Sequence, residues 1–269
     1  MSRASFPVKR LVPLLFALAA LLVAGCKNRG DEIVAKGTPE QIYQDARRDL
    51  KNSNYASAIR QLELLESHFP FSDPAKQGQI DLMYAYYKNH EAESAIDQAD
   101  QFIRENPPHP RVDYAHYIKG LVYFESGASA LERALGADMA KRPPQEARKS
   151  FQAFQTLLQQ YPASPYAADA RQRMIYLRNR LADYELAVAR YYMRRGAYVG
   201  AANRARTIIE TYDGAPAVDD ALRILSNAYT RLGLDELART AASVRKESAP
   251  ADEVGRTAAE SDPWWRFWN

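Results

Sequence analysis

Residues 78–107 read GQIDLMYAYYKNHEAESAIDQADQFIRENP, and a spacing inside that string decides the fold. Met83 is followed three residues later by Tyr86, twelve later by Ala95, and twelve after that by Pro107. The spacing recurs on both sides. A small residue precedes a tyrosine by three at Gly120/Tyr123, Ala189/Tyr192 and Ser226/Tyr229, and Met83/Tyr86 is the looser case. A second small residue comes twelve after the first at Ala58, Ala201 and Ala238, as at Ala95. Gly196 and Gly233 stand five residues before two of these. Pro70 and Pro107 close their units, Asp213 takes that place later, and Pro162 closes the third. Between the markers, apolar residues recur at helical spacing, as in Ile59, Leu62, Leu65 and in Tyr114, Ile118, Leu121, Val122.

Such a pattern has a direct physical reading. Two antiparallel helices cross closely only where small side chains face each other. A glycine before the second helix supplies a positive-φ stop for the first. A proline ends the second helix and makes the chain restart. The restarts also rhyme: Phe69-Pro70-Phe71-Ser72-Asp73-Pro74, Tyr161-Pro162-Ala163-Ser164-Pro165 and Tyr212-Asp213-Gly214-Ala215-Pro216. Each offers a Ser or Asp near an N-cap and a Pro in the first turn. This is the grammar of tetratricopeptide repeats. The fold expected is an all-α solenoid of about five helix pairs, roughly 38–70, 74–107, 111–162, 164–213 and 215–248. Repeat 3 carries an insertion at 127–144, and an extra helix precedes repeat 4. Residues 164–195 read either as one helix of about 48 Å or as two with a break near Asn179–Asp183.

The ends carry other signals. Arg3, Lys9 and Arg10 form a basic start, and Leu11 to Ala24 is an apolar run. At about 14 residues that run is too short to span a bilayer. It ends in Val23-Ala24-Gly25-Cys26, and Cys26 is the chain's single cysteine. Residues 1–25 thus read as a lipoprotein signal peptide, with Cys26 as the acylated new N-terminus and membrane anchor. Lys27 follows it, which favours the periplasmic face of the outer membrane. Residues 26–37 read as a flexible tether, 38–126 as N-terminal repeats, 127–162 as insertion and second helix, and 163–248 as C-terminal repeats. The 249–269 tail is polar and disordered in character until Trp264-Trp265-Arg266-Phe267-Trp268-Asn269. Trp264, Trp265 and Trp268 read as an anchor for a partner or the bilayer interface.

Charge and chemistry exclude much. The chain has 36 Lys and Arg against 33 Asp and Glu, and three of the basics but no acid lie in residues 1–25. The rest balances near zero, so nothing chain-wide holds nucleic acid. His68, His90, His109 and His116 form no metal-ligand pattern, no phosphate-binding loop or Gly-x-Ser-x-Gly is present, and Ser243-Val-Arg-Lys246 matches Ser-x-x-Lys with no companion motif and reads as chance. No cofactor, metal or catalytic residue is expected. Binding chemistry would sit on the wall built by the first helices of the repeats. There Tyr43, Arg47, Tyr84, Tyr87, Lys88, Tyr114, Tyr117 and Phe124 read as an aromatic groove with a basic edge. It would suit an extended peptide with aromatic side chains and a free carboxylate. The same tyrosines could instead serve to pack one repeat on the next.

Several strings go beyond repeat grammar. They include Phe69-Pro-Phe71, Asp81-Leu-Met-Tyr-Ala-Tyr-Tyr-Lys-Asn89, Ala95-Ile-Asp97, Phe102-Ile-Arg104, His109-Pro110 and Asp113-Tyr114. Further along come Lys119-Gly-Leu121, Arg180-Leu-Ala-Asp-Tyr-Glu185, Tyr191-Tyr192 and Arg195-Gly-Ala197. Over about residues 26–245 the chain resembles the BamD family, lipoproteins of the machinery that inserts β-barrel proteins into the outer membrane. The resemblance implies a non-enzymatic scaffold. Its C-terminal repeats would dock on the barrel-forming subunit BamA. Its N-terminal repeats would meet unfolded outer-membrane protein precursors and companion lipoproteins. Through the string Gly196-Ala-Tyr-Val-Gly-Ala-Ala-Asn-Arg204, it further implies that Arg204 makes the BamA contact. The tail and residues 137–144 depart from the family pattern. The other reading is a tetratricopeptide lipoprotein that tethers cell-wall hydrolases.

Overall fold

A computed structural model describes residues 37–126 and 144–248. Those residues form ten helices and no strand. They are α1 (Pro39–Lys51), α2 (Tyr55–His68), α3 (Asp73–Lys88), α4 (Ala92–Glu105) and α5 (Val112–Ser126), then α6 (Gln145–Gln160), α7 (Ala167–Arg194), α8 (Tyr198–Thr211), α9 (Ala217–Arg231) and α10 (Asp235–Ser248). Each helix packs on its neighbours in sequence, α1 also packs on α3, α3 on α5 and α7 on α9, and side chains join α5 to α7. That contact pattern is a solenoid of five helix pairs, as the spacing predicts.

The paired small positions lie where the grammar puts them. Ala46, Met83 and Ala189 are fully buried, and so are their partners Ala58, Ala95 and Ala201. In the third pair the partner is Ser150, hidden from the spacing rule by the insertion. Its hydroxyl donates to the Gly120 carbonyl at 2.8 Å. Ser226 does the same to the Ala238 carbonyl at 3.0 Å. Gly120 is needed for space, because a Cβ there would lie 2.3 Å from the Phe154 ring.

The turns inside the pairs share one geometry. Gly196 and Gly233 hold φ of 73° and 74°, as expected, and Ser53 and His90 take the same left-handed conformation at 59° and 62°. In all four turns the residue after the left-handed one donates its N–H five residues back: Asn54 to Asp49, Glu91 to Tyr86, Ala197 to Tyr192 and Leu234 to Tyr229. That bond closes a Schellman motif. At the restarts only Ser72 acts as a side-chain cap, accepting from the Ala75 N–H at 3.2 Å. Ser164 lies before the cap of α7 and donates instead to Asp113 at 2.7 Å. The restart at α9 has Pro216 at the cap and no side-chain bond. Thr38 adds a capping box on α1 with Gln41.

Between pairs, the second helices present a second buried row. Leu62 and Leu65 of α2 pack against Gly78 of α3. Leu65, Phe102, Leu157 and Ile208, each seven residues past the small position, are almost wholly buried. Burying each is worth about 1.5–3 kcal/mol. In α10 that register carries Arg245, which bonds Asp219 at 2.9 and 3.1 Å. Among the described residues the last helix thus carries a charged side chain in that row.

The extra helix expected before repeat 4 is continuous with that repeat's first helix. Together they make α7, 28 residues long, about 42 Å at 1.5 Å per residue. No break occurs at Asn179–Asp183. Of the two readings of 164–195, the uninterrupted helix is the one formed. Arg180 and Glu185 are buried there.

Candidate functional site

The wall formed by α1, α3, α5 and α7 is held by a ladder of phenol–carboxylate bonds. Tyr43 of α1 donates to Asp81 of α3 at 2.8 Å. Tyr87 of α3 donates to Glu125 of α5. Tyr117 of α5 donates to Asp169 of α7 at 2.8 Å. Every rung joins one repeat's first helix to the next. Burial, followed by the carboxylate each faces, pushes the phenols of Tyr43, Tyr87 and Tyr117 well above the usual tyrosine range. They stay protonated and remain donors. Burial likewise raises the Asp81 carboxyl, although Tyr43, Arg47 and Arg111 pull it down.

The rings themselves are dressed with cations. Arg47 lies 5.9 Å from the Tyr43 ring centre, Lys88 6.0 Å from Tyr87, Arg111 4.8 Å from Tyr114 and Arg173 4.9 Å from Phe124. Tyr117 stacks on Tyr166 at 4.6 Å, Tyr114 tilts on Tyr166 at 5.3 Å, and Phe124 meets Tyr176 at 5.5 Å. Tyr84 meets the edge of Tyr55 at 6.2 Å. The tyrosines expected in the groove therefore share one wall and also pack repeat on repeat. Cation-on-ring contacts leave a surface suited to aromatic and anionic groups together. Sequence spacing missed Asp81, Arg111, Tyr166, Arg173 and Tyr176. A signal existed for Tyr166, which follows Tyr114 by the 52-residue length of the third repeat.

A second arrangement lies where α6, α7 and α8 meet. Glu185 of α7 is 2% exposed, and its two oxygens take one arginine each. Arg148 of α6 binds Oε1 at 2.9 Å, and Arg204 of α8 binds Oε2 at 2.8 Å. The Glu185 hydrogen bond raises the Arg204 pKa further, and the Tyr192 phenol lies beside the same guanidinium. Arg204 is thus already paired within the chain. Exposed Tyr191 stands next to Tyr192 on α7, and Val199 is exposed at the start of α8.

Cys26, the 26–37 tether up to residue 36, the insertion at 127–143, and Trp264, Trp265 and Trp268 lie outside the described residues. Among the described residues no helix is long and apolar enough to cross a membrane, and no group of His, Cys, Asp and Glu could hold a metal.

Stacked helix pairs with an aromatic, cation-dressed wall define a tetratricopeptide-repeat scaffold. The model of one protein family, described as outer membrane lipoprotein (YfiO), matches residues 35–244. The chain belongs to that family, the family of the BamD assembly factors, and its role is outer-membrane protein assembly at the outer membrane. The outer membrane protein assembly factor BamD of Neisseria meningitidis serogroup A is 41% identical over 260 residues, 96% of this chain and 97% of that protein. That of Vibrio cholerae is 38% identical over 224 residues, covering 83% and 92%. That of Haemophilus influenzae is 32% identical over 231 residues, covering 86% and 88%. Among solved structures, a thermophilic TPR protein from Thermus thermophilus aligns over 80% of this chain and 93% of its own at 13% identity, with a TM-score of 0.34.

Proposed function

We propose that the chain is a non-catalytic, lipid-anchored scaffold of the β-barrel assembly complex. Cys26 carries the lipid on the periplasmic face of the outer membrane. The N-terminal repeats bind unfolded barrel precursors and companion lipoproteins, and the C-terminal repeats dock the barrel-forming subunit BamA through Arg204. The observation that carries this reading is the wall of Tyr43, Tyr84, Tyr114 and Tyr117 with Arg47, Lys88 and Arg111 beside it. Aromatic rings and cations in one strip fit peptides that end in an aromatic residue and a carboxylate. Family membership favours this reading over an adaptor for cell-wall hydrolases.

Purification of the native complex from outer membranes tests the reading. Barrel-assembly subunits should co-purify with the chain. Recovery of murein hydrolases in their place would establish the adaptor reading instead.

A further inference from the structure

Arg204 alone makes a poor receptor for a partner's carboxylate. Its guanidinium already faces Glu185, and an incoming acid would have to compete with it. The structure shows how that competition is relieved. Glu185 holds two arginines, so one buried negative charge is matched by two positive charges and the cluster keeps a surplus of one. The acid is hidden, at 2% exposure, while Arg148 and Arg204 are 50% and 42% exposed. Each guanidinium has five N–H donors in a flat fork, and the bonds to Glu185 come from one terminal nitrogen of each. The other terminal nitrogen of each makes no bond to Glu185 and lies on a half-exposed side chain, with the Tyr192 phenol also against the Arg204 guanidinium. Because they hold the two oxygens of one carboxylate, the two guanidiniums flank the same buried group, one from α6 and one from α8.

We propose that Arg148 and Arg204 together form a single carboxylate-binding site seated on Glu185. This two-arginine site receives an acidic side chain of the barrel-forming subunit. The proposal rests on the reading of Arg204 as the docking residue and adds Arg148 to it. Glu185 is the positioning residue: it holds one terminal nitrogen of each guanidinium. A second carboxylate placed above completes an alternating ring of two acids and two arginines, and charge-assisted bonds of this kind are the strong ones. Docking then also reads the position of α6, so repeat 3 contributes to a contact otherwise confined to repeat 4.

The test uses the lipidated chain in detergent with the purified barrel-forming subunit. Dissociation constants are measured at several salt concentrations for wild type, Arg148→Gln, Arg204→Gln and the double variant. Arg204→Gln should weaken binding about tenfold or more, and Arg148→Gln about fivefold or more. The double variant should lose less than the product of the two, because the arginines grip the same acid. Each single variant should also flatten the salt dependence of binding. Wild-type binding by Arg148→Gln, with Arg204→Gln weakened, overturns the shared site and leaves the Arg204 reading intact. Wild-type binding by both removes the Arg204 reading as well. Weakening by Arg148→Gln with an unchanged salt dependence and a lowered melting temperature makes Arg148 a structural residue and overturns the proposal.

Discussion

Ser53 and His90 sit in a backbone conformation that glycine adopts without cost and other residues do not. Ser53→Gly and His90→Gly should each raise stability by about 1 kcal/mol, read as a higher urea midpoint with unchanged slope. The opposite change, Gly196→Ala or Gly233→Ala, should lower it by a similar amount. Gly120 answers to a different constraint, the Phe154 ring at 2.3 Å from a hypothetical Cβ. Gly120→Ala should cost about 1–3 kcal/mol through overpacking. Asp81 gives a pH signature. Burial raises its pKa above the usual aspartate range. The folded state therefore binds this proton more readily than the unfolded chain does. Stability from this site is present at low pH and is lost as pH rises through the raised pKa. Asp81→Asn keeps an acceptor for Tyr43, and should flatten that part of the stability profile followed by thermal melts from pH 4 upward. For Arg204, the Glu185 bond means that Arg204→Ala should weaken folding as well as the proposed docking. Binding of such variants has to be compared at equal folded fraction.

At the scale of elements, the phenol–carboxylate rungs and the ring faces carry separable expectations. Tyr117→Phe removes the bond to Asp169 but keeps the ring on Tyr166. It should cost about 1 kcal/mol of stability and leave affinity for a precursor peptide unchanged. Tyr84→Ala removes an aromatic face that belongs to no rung. It should weaken peptide binding about tenfold, equivalent to the burial of one ring, with helical circular dichroism intact. Equal affinity in both variants would place the peptide elsewhere. The helix pairs were legible because Ala46/Ala58, Met83/Ala95 and Ala189/Ala201 keep a twelve-residue step set by the closeness of two backbones. The Ser53 and His90 turns were illegible because backbone strain there overrides residue preference. The rungs were illegible for another reason: partners 38 or 52 residues apart follow the repeat length, which the insertion changes. The Arg204–Glu185 pair could have been read from register. Glu185 stands four before Ala189 and Arg204 three after Ala201, on facing helices. Arg148 could not, since the insertion hides the alignment of α6.

The whole molecule is organised by what lies at its two ends. At the start, the reading of Cys26 as the acylated membrane anchor predicts that Cys26→Ser releases the chain from outer-membrane fractions in cells lacking its partners. Continued fractionation with the outer membrane would refute it. At the far end, the row that carries Leu65, Phe102, Leu157 and Ile208 in earlier repeats ends at Arg245, tied to Asp219. A stack of near-identical units is a polymer in waiting, since each unit offers the next a docking face. Arg245 interrupts the apolar row that such a face would need. It sets an ion pair with Asp219 where the earlier repeats bury hydrocarbon, so another unit stacking there would have to strip water from that pair.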